Sequence, residues 1–218
     1  MAQTEKNSSG KTAAEAIVLN RYTSLPIALD ILYEKRLTLL SPDTWEDRND
    51  AHYLERYRDE NDLNSVLAIC FSLGNETYHH WRVFSSGSSG VCIEFDKDKL
   101  LPSFPAKKGF KHKQVHYHSI KGLQKKSPKS NLWPFLKRIA FKDEKEYRIT
   151  FESTTEDLRA KSISIDLTSI RKVRLSPWLP EEVAGSIISV IKKIHGCAQL
   201  NVIRSSLIDN ARWRKLID

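Results

Sequence analysis

The sequence predicts an α+β fold with a central, mostly antiparallel β-sheet and helices packed around it. Three observations carry this expectation. Short stretches of alternating or continuous apolar residues, the marks of half-buried and buried strands, recur along the chain. One stretch, Leu179 to His195, has helical period, with Val183, Ile187, Ile188, Ile191 and Ile194 on one face. The length of 218 residues, 40% of them hydrophobic, suffices for one sizeable core.

Taken in order, residues 1–15 form a polar tail expected to be disordered. Residues 16–218 are expected to form a single α+β domain with a basic insertion at about 106–138. Ile17 to Tyr22 reads as a strand, and Thr23-Ser24 before Leu25-Pro26 as the start of a helix. Leu37 to Leu40 is a second strand. The acidic stretch after it holds Glu46, Asp47 and Asp50, which act as caps and loop solvation or as ligands for a hard cation. Val66 to Ser72 reads as a buried central strand and Val91 to Phe95 as another. Between them lie a short helix over Glu76 to Phe84 and the turn Ser85 to Gly90, so the two strands read as a compact hairpin with Trp81 as its plug. Gln114 to His118 is a strand, and Leu132 to Phe141 has helical character. Ile163–Leu167, Ile170–Leu175 and Leu200–Arg204 are strands around the helix that Gly196 ends.

Charge is distributed unevenly. The formal net charge is +8, yet Ala106 to Lys142 alone contains eleven Lys and Arg and no Asp or Glu, leaving the remainder at −3. A lysine-rich loop can serve solubility alone. The interleaved aromatics Phe110, Tyr117 and Trp133 also fit a surface that follows a polyanion, with Lys107, Lys108, Lys111, Lys113, Lys125 and Lys126 as candidate nucleic-acid contacts. Three cysteines without a C-x-x-C pair point to reduced thiols and a cytoplasmic protein. No apolar run approaches a membrane span, and no metal centre is expected.

The stretch Phe141 to Phe151 concentrates the chemistry. From Glu146 it alternates, so Glu144, Glu146 and Arg148 share one strand face, with the arginine keeping the two carboxylates ionised. An ordinary cross-strand ion pair on a solvated face has the same pattern. A row of carboxylates can also hold or stabilise a cation.

Several motifs fall in a recognisable order: Arg21-Tyr22-Thr23-Ser24, Leu39-x-Ser41-Pro42 with Trp45-x-Asp47, Cys70-Phe71-Ser72, Trp81, Gly90-Val91-Cys92-Ile93-x-Phe95, Val115-x-Tyr117 and Glu144-x-Glu146-Tyr147-Arg148-Ile149. In this the chain resembles the bacterial family of domain of unknown function 2971. It departs at Trp81-Arg82-Val83-Phe84, where that family usually has Trp-Ser-x-Tyr, and at Phe141, where it often has tryptophan. More distantly the chain is similar to the ADP-ribosyltransferase fold. That similarity implies NAD as substrate, held by Arg21 and Ser72. It implies Glu146 as the carboxylate that binds a ribose hydroxyl and stabilises the departing-nicotinamide transition state, and Glu144 as its partner acid. Tyr22 or Trp81 would stack the nicotinamide, with Thr23 and Arg148 completing the cofactor-binding set. The implied function is an NAD-dependent transferase that modifies a macromolecule such as nucleic acid, in the manner of a bacterial toxin or phage-defence effector. Two other functions fit parts of the sequence: a non-catalytic nucleic-acid-binding module using 106–142, and a metal-dependent nuclease using Glu46, Asp47 and Asp50 with Glu144.

Overall fold

The computed structural model describes residues 17–217; the N-terminal tail of the sequence reading lies outside the described residues. In chain order the elements are β1 (Val18–Ser24), α1 (Leu25–Glu34), β2 (Arg36–Leu40), α2 (Arg48–Glu60), β3 (Ser65–Leu73), α3 (Tyr78–Phe84), β4 (Gly90–Asp96), α4 (Lys97–Leu100), β5 (Phe110–Gln114), β6 (His116–His118), α5 (Ile120–Lys125), β7 (Leu136–Arg138), β8 (Glu146–Ser153), β9 (Ala160–Ser164), β10 (Ile170–Leu175), α6 (Glu181–Lys193), β11 (Val202–Arg204) and α7 (Ala211–Arg214).

Nine strands make one sheet. Its path runs β11-β10-β4-β1-β3-β2-β9, while β8 takes the other edge of β3 and β5 pairs with β8. Every pairing in it is antiparallel except β10 with β11, so the mostly antiparallel α+β fold is as expected. β3 and β8 pair over their length, from Ser65↔Ser153 to Ser72↔Glu146. The main core gathers Leu19, Leu37, Leu39, Leu67, Ile69, Phe71, Ile93, Ile149 and Phe151 with α1 residues Ala28, Ile31 and Leu32. The alternate residues of β3, Val66 and Ala68, lie in a second cluster with Leu54 and Tyr57 of α2.

Three expectations are corrected here, and one element is new. Val66–Ser72 and Val91–Phe95 do not form a hairpin, because β1 lies between β3 and β4 and pairs with both. Leu132–Phe141 is not a helix. Pro134 removes a backbone donor, and the segment forms a 3-10 turn over Ser130–Phe135, then β7, then a second 3-10 turn over Ile139–Glu144. Gln114–His118 breaks at Val115, whose amide donates to the Glu146 carbonyl, so its end turns off as β6 to pair with β7. Helix α2 had no counterpart in the sequence reading. Its inward row is Asp50, Leu54 and Tyr57, at helical spacing but beginning with a carboxylate, which hides the apolar stripe.

Candidate active site

The site follows from how strands part. β1 stays in register with β4 from Val18 to Ser24, but meets β3 only at Leu19↔Leu73 and Asn20↔Ser72. Further along β3, its partner is β2, at Leu40↔Ala68. The two strands therefore separate at Arg21, and a cavity of about 560 Å³ opens there. Across its floor Asn20, Ser72 and Glu146 stand in register on three neighbouring strands. Arg21 reaches along the gap, where its Nη1 donates to the Cys70 carbonyl at 3.0 Å. Its Nε is buried without a partner, and among the described residues no carboxylate pairs with it.

Behind Glu146 lies a buried ionic cluster. Arg148, wholly buried, donates from Nε to Glu146 Oε1 at 2.7 Å, from Nη1 and Nη2 to the two Asp50 oxygens at 2.9 and 2.6 Å, and from Nη1 to the Pro134 carbonyl at 2.8 Å. Trp45 lies against the guanidinium, 4.9 Å from its ring centre. Lys137 donates to Glu144 at 2.6 Å and to Glu146 at 3.3 Å, and stands 3.6 Å from Asp50. Glu144 precedes the strand proper, but Lys145, at φ 47°, turns the backbone so that both carboxylates meet Lys137. Of the two readings of the β8 face, solvated or holding a charge, the solvated one fails: the face is buried, with Asp50 of α2 and Pro134 and Lys137 set against it.

Burial sets the electrostatics. It would push the Glu146 carboxyl up, but Arg148 and Lys137 outweigh it and hold the group well below the usual carboxylate range. Glu144 differs: burial pushes it up, and Lys137 offsets only part of that. Two adjacent carboxylates are thus driven apart in acidity, one held ionised and one readier to take a proton. Burial also pushes the Cys70 thiol up, away from the thiolate form a nucleophile needs.

Of the residues singled out in the sequence, Arg21, Tyr22, Thr23, Ser72, Glu144, Glu146 and Arg148 all line this cavity. Trp81 does not. It is fully buried in a cluster with Tyr22 and Cys92, and its Nε1 donates to Glu76 at 2.9 Å, which makes it the plug rather than a stacking platform. The carboxylates suggested as metal donors have other surroundings. Asp50 is bound by Arg148, Asp47 Oδ1 caps α2, and Glu46 is exposed; among the described residues no three His, Cys, Asp or Glu side chains are placed to hold a metal ion. The lysines divide. Lys107 and Lys108 sit on a turn preceding β5, Lys111 is tied to Glu152 at 2.7 Å, and Lys113 stands in register with Arg148 on the sheet edge. Lys125 and Lys126 lie at the end of α5. Sequence reasoning overlooked Trp45 and Lys137 as parts of the site and gave Asp50 the wrong task. The single cue was Trp45-x-Asp47 among the motifs.

A search of curated proteins returned no match. Among solved structures, the chain is similar to DarT of Thermus sp. 2.9 in complex with ADP-ribosylated ssDNA, at 10% identity and a TM-score of 0.46 over 89% of this chain and 97% of that one. It is also similar to the same protein in complex with NAD+, at 10% identity and a TM-score of 0.45 over 89% and 98%. Residues 80–149 match the family model described as Protein of unknown function (DUF2971), so the motifs around Trp81, Gly90–Phe95 and Glu144–Ile149 carry a resemblance to that family.

Proposed function

We propose that the chain cleaves the nicotinamide N-glycosidic bond of NAD+ and transfers the ADP-ribosyl group to a macromolecular acceptor. One observation carries the reading. Arg21, Ser72 and Glu146, remote in sequence, line one cavity of a size common for small-molecule sites, beside a carboxylate held ionised. Arg21, in ion-pair contact with no carboxylate among the described residues, is suited to the pyrophosphate. Ser72 offers a hydroxyl to the nicotinamide ribose, and Tyr22 presents an aromatic ring. Glu146 already accepts from Arg148 and Lys137, and its remaining lone pairs can accept a ribose hydroxyl. Its fixed charge stabilises the oxocarbenium character that develops at C1′. The C1′–N bond breaks with its electron pair leaving on neutral nicotinamide. A lone pair of the acceptor forms the new bond to C1′, and the acceptor's proton passes to Glu144.

Chromatographic measurement of nicotinamide released from NAD+ tests this. Glu146→Gln is expected to lower the rate at least about a hundredfold, as removal of one charge-stabilising group does elsewhere. A folded Glu146→Gln protein with the wild-type rate would overturn the assignment.

A further inference from the structure

A second cavity of about 470 Å³ adjoins the first. Asp47, Asp50 and Lys137 belong to the walls of both. Its chemistry is different. Tyr53 and His118 present rings, Leu123 and Pro128 apolar surface, and Arg138 a cation. Asp47 contributes a buried oxygen, Oδ2, that has no hydrogen-bond partner among the described residues, since its cap bonds to α2 use Oδ1. The same α5 and following loop that line it through Leu123, Gln124 and Ser127 carry exposed Lys121, Lys125, Lys126 and Lys129, in a segment without a single acidic residue.

We infer that this second cavity receives one unpaired nucleobase of a single-stranded nucleic acid, with its flanking phosphates on the α5 lysines. The inference rests on the transferase reading in making this the acceptor site. A base has a flat face for Tyr53 or His118 and an N–H for Asp47 Oδ2. The strand on either side supplies the anions that four clustered cations attract. A base still paired in a duplex cannot enter a cavity walled on these sides, so the site selects single strands. The shared wall brings the base beside Lys137, which also holds Glu144 at 2.6 Å on the side of the first cavity.

The geometry also divides the basic segment in a way charge alone does not. Lys107 and Lys108 precede Gly109, which lies against the Glu152 carbonyl, six residues along β8 from Glu146 and therefore about 20 Å away by strand rise. They lie off the path that α5 defines.

Fluorescence anisotropy without NAD+ tests the inference, using labelled 12-mers of mixed sequence as single-stranded DNA, single-stranded RNA and duplex DNA. Leu123→Trp, which fills the cavity, is expected to weaken single-strand binding by roughly ten- to a hundredfold, the worth of one stacked base. The exposed pair Lys125→Glu with Lys126→Glu should fold normally, weaken binding by at least about tenfold and flatten the salt dependence. Comparison of the DNA and RNA single strands assigns the sugar. Duplex binding as tight as single-strand binding, or Lys107→Glu with Lys108→Glu weakening binding more than the α5 pair does, would overturn the inference. So would wild-type binding by both α5-region variants. Because NAD+ is absent, a chain that binds strands yet releases no nicotinamide refutes only the transferase reading.

Discussion

Arg148 is wholly buried, and its charge is tolerable only because two carboxylates and a carbonyl surround it. Removing one partner leaves an uncompensated charge in the interior. Asp50→Ala is therefore expected to cost about 3–5 kcal/mol in denaturant unfolding. Adding Arg148→Met to it should recover part of that loss, since the orphaned charge goes too. If the double variant is less stable than Asp50→Ala alone, the pair is not the burden described. The same reasoning gives Glu146→Gln a cost in stability. An exposed carboxylate could be neutralised without loss, but one bonded to Arg148 and Lys137 cannot, and about 1–3 kcal/mol should go with it. The E-x-E-x-R spacing was legible in the sequence. That Lys137 and Asp50 complete the cluster was not, because they come from separate elements that only packing brings together.

At the scale of elements, β8 is held on both edges, by β3 along its length and by β5 from Phe110↔Phe151 to Gln114↔Tyr147. The turn into β5 depends on Gly109, at φ 83°, where a Cβ would stand 2.5 Å from the Glu152 carbonyl oxygen. Gly109→Ala combines strain with a backbone clash and is expected to destabilise by about 1–3 kcal/mol. Hydrogen exchange should then speed up in β5 before β3. Exchange unchanged in β5 would show that the turn does not anchor it. The strands of the sheet were readable because their apolar period survives in the sequence. Helix α2 was not, since its first inward residue is Asp50, whose partner Arg148 lies 98 residues away. A charge placed in an apolar stripe to meet an opposite charge looks, in one dimension, like solvated surface.

At the scale of the whole molecule, α3 is fastened to the turn before β8 by His80. Its Nε2 donates to the Asp143 carbonyl at 3.0 Å and to that of Glu144 at 3.2 Å, and its buried Nδ1 has no partner among the described residues. Burial pulls the imidazole below its ordinary value, because a proton on Nδ1 would find no acceptor. A base depressed in the folded state contributes stability above about pH 6.5, and that contribution is lost as pH falls from there through the folded value. Thermal melts at pH 7.5 and 5.5 should therefore show a larger drop in Tm for the wild type than for His80→Gln. Equal drops would mean that His80 stays neutral in neither state more than the other. Among the described residues, no helix is long and apolar enough to cross a membrane.

By itself the sequence determined the α+β class, most of the strands, the amphipathic helix α6 and the acidic strand that carries Glu146, because local period and side-chain chemistry are written in consecutive residues. Tertiary structure alone decided that β1 lies between β3 and β4 and parts from β3 at Arg21, that Trp81 is core, and that Asp50 and Lys137 close around Arg148 and Glu146. Those outcomes depend on strand order and on charges paired across long separations, and neither leaves a periodic trace along the chain.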